Sequence, residues 1–184
     1  EKLENCINSD LANNYGNLCQ RVISFNEKDF NLKIPNNYKF NKDDQQILNT
    51  YSSNIENLIN SIDNQNINYY VNFIQEQLFA ANKYFNDQEP WKKKSDKERL
   101  NSILYVSLEL IRKISILLYP IIPESSIKAL KIFNITEDKI DFNSIKNHEI
   151  LKVNSVINKI SILFKKIKKN DWFTLPPRSW TFSW

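Results

Sequence analysis

Asn17 and Arg21 stand four residues apart inside an apolar-periodic stretch, so they project from neighbouring turns of one helix on one face. Leu18 and Val22, each one position on, point about 100° away and into a core. Together an amide and a guanidinium offer donors and an acceptor, enough to read the edge of an unpaired base; an ordinary exposed polar pair has the same spacing. Trp91 follows Pro90 in a short junction, Phe85-Asn86-Asp87-Gln88-Glu89-Pro90-Trp91. An indole presented on a rigid loop is a stacking platform for a base, or else a cap on the end of a core. Lys92, Lys93 and Lys94 come next, as candidate phosphate contacts or as solvated charges.

Catalytic groups are scarce. The one His, His148, falls in an irregular stretch with no Cys or spaced carboxylates beside it, so no metal site is expected. No nucleophile has an evident base. Cys6 and Cys19 are thirteen residues apart on one expected helix, hence ~20 Å apart and beyond disulfide reach. They read as reduced thiols. A single Gly argues against a Gly-rich phosphate loop and against strand-and-turn architectures. The net charge of +4 permits a polyanionic partner without requiring one. No apolar run reaches the ~18–20 residues of a membrane span, and the first residues are not a signal peptide. With no Met, the sequence reads as an excerpt of a longer chain or a processed product.

The elements that must position these residues are helices. Periodicity predicts a first helix over residues 3–25, on Leu11, Tyr15, Leu18, Val22 and Phe25. A loop broken by Pro35 covers residues 26–41. A second helix over 42–63 carries Ile47, Leu48, Tyr51, Ile55, Leu58, Ile59 and Ile62. A third places Tyr70, Ile74, Leu78, Ala81 and Phe85 inward and stops before Pro90. Ser95-Asp96-Lys97-Glu98 reads as a capping box opening a fourth helix. Its apolar arc, which includes Leu100, Ile103, Leu104, Leu108, Ile111, Ile114 and Leu117, is wide enough to make it the central, most buried helix. Pro120 ends it. Pro123 starts a shorter fifth helix with Ile127, Leu130 and Phe133 inward. After an irregular crossing, a last helix is expected over 149–169, on Ile150, Val153, Val156 or Ile157, Ile160 and Leu163 or Phe164. Its basic end, Lys165, Lys166, Lys168 and Lys169, is a solvated helix terminus or a weak phosphate contact. Residues 170–184 change composition abruptly, holding three of the four Trp. They read as a cloning scar, a frame-shifted end or a strand-like docking peptide. The expected division is therefore a helical domain over 1–169 and an aromatic tail over 170–184.

Several of these segments resemble one family. Asp10-Leu-Ala-Asn-Asn-Tyr-Gly-Asn-Leu-Cys-Gln-Arg21 is similar to the opening helix of the anticodon-binding domain of bacterial-type methionyl-tRNA synthetases. Ala80-Ala-Asn-Lys-Tyr-Phe-Asn-Asp-Gln-Glu-Pro-Trp91 resembles a second signature, a helix end running into a Pro-Trp pair. Ile103-Leu-Tyr-Val106 through Leu118-Tyr-Pro-Ile-Ile-Pro-Glu-Ser125 resembles a third. Ile162-Leu-Phe-Lys-Lys-Ile167 looks like the end of the domain, departing from it where Lys165-Lys166 replace a more usual Pro-Arg. The resemblance spans about residues 3–168, and the tail has no counterpart in it.

The resemblance implies an all-α fold, the anticodon-binding helical bundle of class Ia aminoacyl-tRNA synthetases. It implies a domain that reads the CAU anticodon of methionine tRNA. The positions matching Asn17 and Arg21 would hydrogen-bond to the first anticodon base, and that matching Trp91 would stack on it beside the Pro90 backbone. The family's ATP-binding motifs are absent from this sequence, so no cofactor is expected in this chain. ATP and methionine would belong to the catalytic domain of a parent methionine-tRNA ligase, and the chain alone would not be an enzyme. The expected partner is tRNA, with neither membrane nor DNA, in a bacterial cytoplasm or an organellar matrix. Two other readings remain open: the corresponding domain of another class I synthetase, and a helical interaction module that has lost RNA binding.

Overall fold

A computed structural model of the protein describes residues 14–159. They form five α-helices: α1 (Asn17–Phe30), α2 (Lys42–Asp63), α3 (Ile67–Asp87), α4 (Lys97–Leu118) and α5 (Pro123–Leu130). A 3-10 turn at Pro90–Lys92 joins α3 to α4, and three more follow α5, at Lys131–Phe133, Glu137–Lys139 and Phe142–Lys146. The fold is all-α as expected, with no strand among the described residues.

The apolar stripes place the helices. Every residue of α4 from Ser102 to Leu118 is buried, and α1, α2, α3 and α5 all pack against it. The whole expected stripe of α3, from Tyr70 to Phe85, is buried. The bounds of α2 are those the sequence predicts, although Ile62 at its end is exposed. Tyr15, just ahead of α1, bonds Ser115 of α4 at 2.7 Å, and burial pushes the neighbouring Cys19 thiol up, so neither group is available for chemistry. Residues 3–13 of the expected first helix lie outside the described residues.

Three expectations need correction. The first helix runs five residues past Phe25, to Phe30, and ends on left-handed Asn31, an αL cap that an Asn tolerates. The cap of α4 is Asp96, whose side chain accepts from the Arg99 N–H, and the Ser95 box does not form. A true capping box opens α2 instead, with Asn41 and Asp44 each accepting the other's backbone N–H at 2.9 and 3.0 Å. Of the last helix, residues 149–159 are not helical. Leu151 and Ile157 are the buried positions, whereas Ile150, Val153 and Val156 of the expected stripe are exposed. This segment runs back along residues 32–34: Ile34 donates to Ser155 at 2.9 Å, Asn154 to Ile34 at 2.9 Å and Ile157 to Leu32 at 2.7 Å. The remainder of the expected helix, its lysines and the boundary at 169/170 lie outside the described residues.

A set of charges inside α4 ties the crossing and the start of this segment down. Glu109 and Arg112 are buried and paired at 2.7 Å. The second Glu109 oxygen accepts the backbone N–H groups of Ile150 and Leu151 at 3.0 and 2.9 Å. Arg112 donates to the Ser144 hydroxyl and to the Ser144 and Asn147 carbonyls. Lys113, also buried, donates to the carbonyls of Ile145 and Asn147. The crossing and the segment after it are thus bonded onto α4, while residues 154–157 make backbone hydrogen bonds to residues 32–34 in place of helical ones.

This arrangement makes stability pH-dependent. Burial, and then the adjacent Arg112 guanidinium, pull Lys113 down from 10.5 to about 7, against the pull of Glu109. A base depressed in the fold binds fewer protons there than in the unfolded chain, so stability climbs as pH rises through that value toward 10.5. His148, also lowered chiefly by burial, acts with the same sign at lower pH. Above pH ~9 the Cys19 thiol and the buried tyrosines, all pushed up by burial, reverse the trend. The unfolding free energy from urea titration should therefore rise between about pH 6 and 8.5, by up to ~1.4 kcal/mol per pH unit. Lys113→Met should flatten most of that rise; a profile as steep as the parent's would show that Lys113 is not its source.

Candidate nucleic-acid interface

Phe85 is the hub of the site. It is buried at the last turn of α3, its ring edge-on to Phe25 of α1 and to Trp91, each with centroids 6.2 Å apart. The Arg21 guanidinium lies over the same ring at 5.4 Å and donates to the Asn86 side chain at 2.5 Å. The structure thereby brings two residues that are seventy positions apart in the chain, Arg21 and Trp91, onto one ring. Arg21 is half-buried and held, yet a guanidinium has five N–H donors and Asn86 takes one.

Trp91 is mounted on a tight piece of backbone. Helix α3 ends at Asp87, Gln88 remains near the helical region, and Glu89 turns left-handed with φ 43°. Pro90 then opens the 3-10 turn, closed by Lys92 N–H on the Glu89 carbonyl at 2.8 Å and Lys93 N–H on Pro90 at 3.1 Å. Pro90 is buried beneath, and the indole above it is 44% exposed. A partly open indole with a fixed edge and a rigid base is suited to stacking.

The other predicted residues divide. Asn17 is exposed at the start of α1, one turn before Arg21 on the same face. Lys92 pairs with Glu89 at 2.7 Å, and Lys94 pairs with Asp29 of α1 at 2.5 Å while lying over Phe25. Lys93 is exposed and in no ion pair among the described residues, which leaves it the lysine most available to a phosphate. Phe85 and Asn86 are contributors that sequence periodicity does not single out, since a stripe position marks Phe85 only as core. The usable signal is their place directly ahead of the Asp-Gln-Glu-Pro-Trp turn.

Metal-binding clusters are absent from the described residues: no group of three or more His, Cys, Asp or Glu there could hold a metal ion. His148 lies elsewhere, bonded to Asn49 at 3.0 Å. No described helix is long and apolar enough to cross a membrane.

Known proteins resemble this chain in sequence and in fold. Residues 34–177 match the family described as the anticodon binding domain of methionyl tRNA ligase. The methionine–tRNA ligase of Brucella suis biovar 1 is 36% identical over 143 residues, covering 77% of this chain and 28% of that protein. That of Thermotoga maritima is 31% identical over 174 residues, covering 94% of this chain and 28% of the relative. The chain thus spans a little over a quarter of these curated relatives. The apo, free-state crystal structure of Mycobacterium tuberculosis methionyl-tRNA synthetase superposes with a TM-score of 0.83 at 28% identity, over 90% of this chain and 34% of that one. The chain belongs to the anticodon-binding domain family of methionyl-tRNA ligases.

Proposed function

We propose that this domain binds methionine-specific tRNA and reads its CAU anticodon. Trp91 stacks on the first anticodon base, Arg21 and Asn17 hydrogen-bond to that base's edge, and the Pro90 backbone lies alongside. Lys93 is placed for a neighbouring phosphate, with Lys92 and Lys94 contributing only if their ion pairs open. Aminoacylation with ATP and methionine is the work of a catalytic domain in a parent methionine-tRNA ligase, acting in the cytoplasm. The observation that carries this reading is the half-exposed Trp91 indole set against Phe85 with the Arg21 guanidinium on the same ring. An aromatic face and unused N–H donors in one place are what recognition of an unstacked base requires.

Binding of a CAU stem-loop to the chain, followed by fluorescence anisotropy, tests it. The expected result is saturable binding that weakens as salt rises, because phosphate contacts release counterions. No preference for CAU over a loop changed at its first anticodon base would sink the reading.

A further inference from the structure

Next to the Trp91 turn lies a side-chain network that links the starts of two helices to the residue before it. Asp44, fully buried in the first turn of α2, accepts the Tyr84 hydroxyl of α3 at 2.5 Å. It also takes both terminal nitrogens of Arg99, from the first turn of α4, at 2.6 and 3.0 Å. A bidentate guanidinium–carboxylate pair fixes orientation as well as distance. Arg99 then reaches out of the pair: its Nη2 donates to Gln88 Oε1 at 2.8 Å. One guanidinium thus ties the starts of α2 and α4 to the end of α3.

Gln88 is the last residue before the chain reverses hand. Its backbone has φ −74° and ψ −15°, and Glu89, which follows, is left-handed at φ 43° and ψ 59°. A non-glycine residue stays in that region only where its surroundings over-determine it. Immediately before Glu89, the Gln88 side chain is anchored to Arg99; immediately after it, Pro90 is buried and the 3-10 turn is closed by its own hydrogen bonds. A rotation about the backbone at Gln88 or Glu89 would swing the Trp91 indole off Phe85.

We propose that Gln88 and Arg99 are positioning residues for base recognition: the Arg99–Gln88 hydrogen bond, braced by Asp44, sets the direction in which Trp91 presents its ring. This rests on the anticodon-reading role proposed above. Gln88 is the position to alter, because it is half-buried, accepts one hydrogen bond through its side chain and leaves the Asp44–Arg99 pair intact.

The full chain labelled with 5-fluorotryptophan, its Trp91 resonance identified by loss in Trp91→Phe, gives a readout that a purely structural role would not move. Gln88→Ala should shift or broaden the Trp91 fluorine signal and weaken CAU stem-loop binding roughly five- to tenfold, the factor equivalent to one hydrogen bond. Its thermal midpoint should stay close to the parent's. Gln88→Glu, which keeps an acceptor for Arg99, should retain the parent signal. A Gln88→Ala chain with the parent's fluorine signal and affinity overturns the proposal. So does one that loses stability with both of those unchanged. If Trp91→Ala binds as tightly as the parent, the anticodon role itself fails, and the fluorine signal alone then decides whether Gln88 orients Trp91.

Discussion

Glu109→Ala should lower the unfolding free energy by roughly 3–5 kcal/mol, the largest stability loss we expect from a single substitution in this chain. Glu109 is the one carboxylate facing two cations, Arg112 and Lys113, in the middle of a helix buried on all sides. Its removal strands the Arg112 guanidinium, which does not deprotonate, in a dry site. It also leaves the Ile150 and Leu151 N–H groups without their acceptor. The cost is therefore that of an uncompensated charge and unmade hydrogen bonds, not of the salt bridge alone. The pair Glu109→Leu with Arg112→Met, which removes both charges, should cost less than Glu109→Ala even though it deletes more polar contacts. Urea unfolding of the parent and both variants checks this. A Glu109→Ala loss below about 1 kcal/mol would mean that the buried pair does not hold the crossing to α4.

Trp91→Ala should weaken CAU stem-loop binding by roughly 5- to 150-fold, the equivalent of the ~1–3 kcal/mol of one base–aromatic stack. Stability should change little, because the indole is 44% exposed and its main partner, Phe85, keeps Phe25 and Arg21. Arg21→Ala should lose a comparable amount through a different interaction, hydrogen bonds to the base edge. Both residues rest on one ring, so removing either relaxes the support of the other. The double variant should lose less than the sum of the two single losses, whereas independent sites would add. Isothermal titration of the four proteins of this cycle against one stem-loop supplies the coupling directly.

How much of this was readable in the chain depends on the kind of residue. The bounds of α2, the buried face of α3 and the central place of α4 follow from apolar spacing, because burial of such faces is what folds a helical bundle. The buried Glu109, Arg112 and Lys113 do not, since three charged residues within one helical turn and a half look like a solvated face until the crossing segment is laid over them. Residues 149–159 are concealed in a similar way: their spacing imitates a helix, and the backbone partners they find at residues 32–34 are not visible in it. At the candidate interface, Asn17, Arg21, Pro90 and Trp91 stand out through the family resemblance. The meeting of Arg21 and Trp91 on Phe85 is a tertiary fact that no spacing contains. Nor does the run of Lys92, Lys93 and Lys94 disclose that two of the three are engaged with Glu89 and Asp29.

Discrimination at the first anticodon base tests the central claim most directly. Dissociation constants for two stem-loops that differ only at that base, CAU and an altered loop, are measured for the parent, Trp91→Ala and Arg21→Ala. The parent should prefer CAU, and each substitution should cost more on CAU than on the altered loop, so that the preference shrinks. Equal losses on both loops would contradict a site in which Arg21 and Trp91 read that base.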